Sequence, residues 1–132
     1  MLDTSAIVGM IRRRSPVPVE RLAAYGCDAW ALSSVAVVEL WYGVEHSQPV
    51  ERSRLALRTI LASLRVADFD EAAAQAYGTL RTDLEKRGLV IGRLVMLIAA
   101  RALSLDALLV TANVREFSRV RGLRVEDWGG GG

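Results

Sequence analysis

The sequence predicts an α/β protein whose parallel sheet is covered by helices on both faces. Two observations lead there. Short apolar runs, "AWALS" at 29–33, "RVADF" at 65–69 and "ALLVT" at 107–111, alternate with longer segments of helical spacing. Polar residues also recur where such runs end: Asp3 after Met1-Leu2, Ser33, and Thr111 to Asn113. In open parallel sheets, sites form just beyond the carboxyl ends of the strands, so residues distant in sequence can converge there.

Taken in order, "MLDTS" leaves room for only a stub of strand before Asp3 and Thr4 punctuate it. Ile7, Val8 and Ile11 give a short helical stripe, followed by Arg12-Arg13-Arg14. "SPVPVERLAAYG" reads as a break and a further short helix stopped by Gly26. After the 29–33 strand, Ser33 or Ser34 caps a helix with Val37, Val38 and Trp41 on its apolar side. Pro49 can open the next helix, where Leu57, Ile60, Leu61 and Leu64 recur. A brief strand at 65–69 precedes Asp70, which caps a long helix with Ala73, Tyr77, Leu80 and Leu84 inward and Gly88 at its end. A helix over 92–104, the strand "ALLVT", a turn around 115–118 and a last strand at 123–126 complete the chain.

A length of 132 residues suits one domain, taken as 1–128, with Gly129–Gly132 set aside as a linker or tag scar. At 52% hydrophobic and 24% charged residues the chain reads as globular rather than disordered. No apolar run reaches the ~18 residues that span a bilayer, so no membrane partner is expected. The lone Cys27 cannot form an internal disulfide, so a reducing cytoplasm is the expected location. Lys86 is the only lysine; the other basic residues are arginines, which suit forked contacts to phosphate or carboxylate and equally reflect a GC-rich genome.

Several chemistries lack material. There is no Gly-rich phosphate loop, and one histidine (His46) with one cysteine makes neither a zinc site nor a Ser/His/Asp triad. His46 reads as a solvated residue at a helix end. What remains is oxygen. Glu39 lies in the apolar helix "SSVAVVELWYGV" and must be solvated at an edge, paired, or bound to a cation. Asp3 could cap the first helix or face a site, and Asn113 could be a loop residue or offer its amide oxygen. Hard oxygen ligands of this kind suit Mg²⁺ or Mn²⁺.

"LDTS", "SSVAVVELWYG", "IGRLVMLIAARAL" and "LLVTANVREFSRVRGLRVEDW" occur in one order. Together they closely resemble the PIN-domain ribonucleases of the VapC toxins from bacterial toxin–antitoxin pairs, over essentially the whole chain. The resemblance implies a three-layer α/β/α PIN-like fold with a mostly parallel sheet. It also implies a Mg²⁺- or Mn²⁺-dependent RNA endonuclease, homodimerisation, and a VapB-type antitoxin that blocks the site. Asp3 matches the family's first acid, Glu39 the second, Asn113 the fourth position and Glu116 an often acidic position nearby. Thr4, Ser5 and Thr111 match hydroxyl positions that orient the carboxylates.

One expected charge is missing. The family segment usually reads Ile-Gly-x-x-Asp, and its third acid falls on Val95, which cannot ligate a cation. Arg101 stands where a His is common, and Asp106 where a Gly is common. Two functions follow: an endoribonuclease toxin impaired at its metal site, with Asp3 and Glu39 as metal ligands and Arg12–Arg14 and Arg93 gripping the RNA backbone; or a catalytically inactive module that acts by binding antitoxin or RNA.

Overall fold

The computed structural model describes residues 1–12 and 30–127. The expected helix within 15–26, the Arg12–Arg14 side chains, Cys27, Trp128 and the glycine tail lie outside what it describes.

Leu2 is the centre of the sheet. It bridges in parallel to Leu32 on one side and Val110 on the other. Beyond Leu32, β1 (Ala31–Ser33) pairs in parallel with β2 (Arg65–Ala67), Ala31 opposite Arg65 and Ser33 opposite Ala67. Beyond Val110, β3 (Leu109–Val110) pairs in parallel with β4 (Val125–Glu126). The strand stub expected at 1–2 is therefore a single bridging residue. It is tied in by Leu2 N to Ala31 O at 3.0 Å, Asp3 N to Val110 O at 2.9 Å and Val110 N to Met1 O at 2.8 Å. Leu2, Leu32, Leu109 and Val110 are all buried. Burying a leucine or valine contributes roughly 1.5–3 kcal/mol, which anchors strands this short. The other strands are also shorter than their apolar runs, because the ladders end where the chain turns into helices or loops.

Helices flank this sheet in a three-layer α/β/α arrangement. α1 (Thr4–Arg12) begins directly behind Asp3, whose carbonyl accepts from Ala6 N and Ile7 N. α2 (Ser34–Glu45) starts at Ser33, whose hydroxyl accepts from Val35 N at 3.1 Å. The inward face of α2 differs from the expected one. Ala36, Leu40 and Val44 are buried, whereas Val38 is 64% exposed and Val37 and Trp41 are only partly covered. The i, i+4, i+8 row takes the core, and the helix is apolar enough all round to hide this from periodicity.

α3 (Val50–Ser63) follows Pro49 and buries Leu57. α4 (Glu71–Lys86) is capped by Asp70, whose Oδ1 accepts from Ala73 N at 3.0 Å. It ends in a Schellman turn: Gly88 takes φ +69°, Gly88 N donates to Glu85 O and Leu89 N to Leu84 O. α4 packs along α5 (Arg93–Ser104), which buries Met96, Ile98, Ala99, Ala100 and Ala102. Leu105, which caps the helix, is 44% exposed. α6 (Val114–Phe117) is a single turn that buries Phe117. Among the described residues no helix is long and apolar enough to cross a membrane.

Candidate active site

The sheet places its central strand stub, β1 and β3 side by side, so the residues that follow each of them share one edge. Asp3 follows Leu2 and is only 6% exposed. Its side chain does not cap α1. Instead Oδ2 accepts from the Thr111 hydroxyl at 2.6 Å and from the Ser5 hydroxyl at 3.3 Å. Thr111 is itself fully buried, and its oxygen accepts from Asn113 N at 2.9 Å. Ser5 bridges the same region: its oxygen accepts from Ala112 N at 2.9 Å and lies 3.3 Å from the Thr111 hydroxyl. The start of α1 and the loop after β3 are thus stitched together across more than a hundred residues of sequence.

Glu39 comes in from the second turn of α2. Thr4 donates its hydroxyl to Glu39 Oε1 at 2.7 Å. Asp3 and Glu39 therefore sit beside neighbouring residues of one short segment, each held through one oxygen by a hydroxyl. Asp3 Oδ1 and Glu39 Oε2 have no hydrogen-bond partner among the described residues. Of the polar end of the last apolar run, Thr111 faces Asp3 directly, while Asn113 turns its side chain to Glu116.

The far rim is built from α6 and the start of α5. Asn113 donates its side-chain amide to Glu116 Oε2 at 3.1 Å, which leaves its amide oxygen as an outward acceptor. A methyl placed on Gly92, at the head of α5, would lie 3.5 Å from Val95 Cγ2 and 4.0 Å from Glu116 Oε2. Val95 thus stands beside the Asn113–Glu116 edge, partly buried, rather than deep in the core.

Among the described residues Asp3 is the only buried carboxylate. Elsewhere Asp70, Asp83, Asp106, Glu45, Glu51 and Glu85 each lie within ion-pair distance of an arginine. Asp3, Glu39 and Glu116 have no cationic partner among the described residues. A carboxylate as buried as Asp3, held only by neutral hydroxyls, is costly unless a cation completes it. The donors suit a hard, oxygen-preferring ion such as Mg²⁺ or Mn²⁺. Among the described residues, however, no three His, Cys, Asp or Glu side chains gather closely enough to hold a metal. The position that would add a carboxylate beside Glu116 is Val95.

The sequence singled out Asp3, Glu39, Asn113, Glu116, Thr4, Ser5, Thr111 and Val95, and the fold links Asp3, Ser5, Thr111, Asn113 and Glu116 in one hydrogen-bonded chain. Thr4 and Glu39 adjoin it. It missed a cleft beside Glu39 that also involves His46 and Arg52. Only the three-dimensional divergence of α2 and α3 creates that cleft, and no local motif encodes it.

Residues 1–123 match the PIN-domain family. Ribonuclease VapC2 of Haemophilus influenzae is 38% identical over 130 residues, covering 97% of this chain and 96% of that protein. The chain belongs to the VapC family of PIN-domain ribonucleases. A VapC of Shigella flexneri described as a tRNA(fMet)-specific endonuclease is also 38% identical, over 128 residues, with the same coverage. Among solved structures, VapBC2 from Rickettsia felis bound to a promoter DNA fragment superposes with a TM-score of 0.90 at 35% identity, covering 97% of both chains. DNA-bound VapBC from Salmonella typhimurium gives the same TM-score at 34% identity, covering 97% of this chain and 96% of that one. The VapC match agrees with the three-layer fold.

Proposed function

We propose that this chain is the toxin of a type II toxin–antitoxin pair, a metal-dependent endoribonuclease whose turnover is impaired at Val95. The observation that carries this reading is the Asp3 carboxylate: buried, clasped by Thr111 and Ser5, and without a positive partner among the described residues. A bound Mg²⁺ or Mn²⁺ would neutralise charge on a phosphodiester and lower the pKa of an attacking water.

Asp3 Oδ1 and Glu39 Oε2 would hold that ion, and the Thr111, Ser5 and Thr4 hydroxyls keep both carboxylates from swinging away. Glu116, fixed by the Asn113 amide, stands ready to accept a proton from the nucleophilic water, and the Asn113 amide oxygen can orient that water. Arg93, exposed at the start of α5, would contact the RNA backbone.

The VapBC complexes and the tRNA(fMet)-specific relative support a VapB-type antitoxin as partner and a structured RNA as substrate. Val38 and Tyr42, one turn apart on α2 and 64% and 63% exposed, support assembly, including a homodimer. A cytoplasmic location and a single domain over 1–128 complete the reading.

Val95 favours a second reading, a catalytically inactive module that works by binding antitoxin or RNA. One RNA cleavage assay with Mn²⁺ separates the two, comparing the parent, Val95→Asp, and Asp3→Ala in the Val95→Asp background. The impaired-enzyme reading expects slow cleavage by the parent, a gain of about 100-fold or more with Val95→Asp, and its loss with Asp3→Ala. A parent as fast as Val95→Asp would refute the impairment. No cleavage by any of the three would leave the binding module.

A further inference from the structure

Glu39 lines a cleft of about 510 Å³ between α1, α2 and α3, within the ~300–1,000 Å³ typical of small-ligand sites. Its apolar walls include Val8, Val44 and Ala56. Glu39, Gly43 and His46 follow one another at i, i+4 and i+7 along α2 and all line it. A Cβ built on Gly43 would meet nothing within 4 Å, so the space beside α2 is open at this point.

The polar groups in the cleft are set up for a ligand. His46 Nδ1 lies 3.0 Å from the Tyr42 carbonyl, which can only accept, so Nδ1 donates there and Nε2 of the neutral ring is an acceptor. The imidazole is held against the Tyr42 ring, centroids 4.3 Å apart. On the facing helix, Arg52 makes no ion pair or hydrogen bond among the described residues. Its neighbour Arg54, by contrast, is committed to Glu45 and Glu51. An uncommitted guanidinium in a cleft that Glu39 of the proposed metal site also lines is a forked donor for phosphate.

We infer that this cleft is an RNA subsite: it seats the nucleotide adjoining the scissile phosphate, with Arg52 on the flanking phosphate and His46 Nε2 accepting from the base or ribose. This rests on the ribonuclease reading above and extends it. A nucleotide fits better than a peptide, because the cleft sets apolar walls beside an arginine for phosphate and polar side chains, His46, Ser47, Gln48 and Ser53, for base and ribose.

The test is fluorescence anisotropy of the whole chain with a fluorescein-labelled stem-loop RNA, in EDTA so that binding is read without cleavage. Arg65→Gln is the control, since Arg65 is an exposed arginine on β2, outside the cleft, and loses the same charge. Arg52→Gln should weaken binding about tenfold and reduce the salt slope by about one, whereas Arg65→Gln changes affinity less than about twofold. His46→Ala should weaken binding at unchanged salt slope. Gly43→Leu should block the cleft with unfolding midpoint preserved. Equal losses for Arg52→Gln and Arg65→Gln, or none, overturn the subsite and leave the cleft to a protein partner. A parent that binds no RNA overturns the subsite and the ribonuclease reading together.

Discussion

Thr111 carries the greatest structural burden of any hydroxyl in the site. It donates to Asp3 at 2.6 Å and accepts from Asn113 N at 2.9 Å, in a fully buried position. Thr111→Val keeps the shape and removes both bonds, leaving a buried carboxylate with a single weak hydroxyl contact. It should lower unfolding stability by about 1–3 kcal/mol in urea titration; a change below about 0.5 kcal/mol would show that water replaces the hydroxyl. Asp106 presents the opposite case. It ends α5 at φ +51°, a conformation that favours glycine, while Asp106 N donates to Leu103 O and Ala107 N to Ala102 O. Its carboxylate is 97% exposed and 3.8 Å from Arg124, a separation that contributes little. Asp106→Gly should therefore stabilise the chain by up to about 1 kcal/mol, read as a higher urea midpoint at unchanged slope.

At the scale of elements, Asp70 serves two roles that substitution can separate. It caps α4 through Ala73 N, and the same Oδ1 lies 3.3 Å from Arg101 Nη1 across the α4–α5 contact. Asp70→Asn keeps an acceptor for the cap and removes the charge; Asp70→Ala removes both. Because Asp70 is half exposed, the ion pair should be weak, so Asn should cost less than about 0.5 kcal/mol and Ala about 1 kcal/mol or more. Equal losses in thermal unfolding would place the stability in the ion pair instead. Such caps are why the helices were legible. Ser33, Asp70 and Gly88 mark boundaries with side-chain chemistry that acts within three or four residues. The orientation of α2 was not legible, because Val37, Val38 and Leu40 are equally apolar and only packing against α1, α3 and α5 decides which face turns in. The first strand reads as a stub because its partners, 30 and 108 positions away, define it more than its own two residues do.

Across the whole molecule, the sheet converts three distant sequence positions into one charged edge. "LDTS" and "VTAN" announce oxygen-rich ends, but the clasp of Ser5 on Ala112 N and of Thr4 on Glu39 arises only when parallel neighbours align, and no spacing rule within either motif contains it. Accumulating carboxylates at that edge should work against the metal-free fold, and Val95 lessens that conflict. Val95→Asp adds a charge beside Glu116 in a partly buried position, so in EDTA it should lower the unfolding free energy relative to the parent by roughly 1–2 kcal/mol through like-charge repulsion and desolvation. A metal that binds only the native state reverses the order: at about 100 times its Kd, Mn²⁺ should add about 2.7 kcal/mol. The parent, with one acid fewer, should respond much less at the same concentration. Differential scanning calorimetry of both chains, with EDTA and with millimolar Mn²⁺, therefore expects two stability curves that cross as metal is added. A Val95→Asp protein at least as stable as the parent in EDTA and unmoved by Mn²⁺ would mean that position 95 does not face the carboxylate edge in solution.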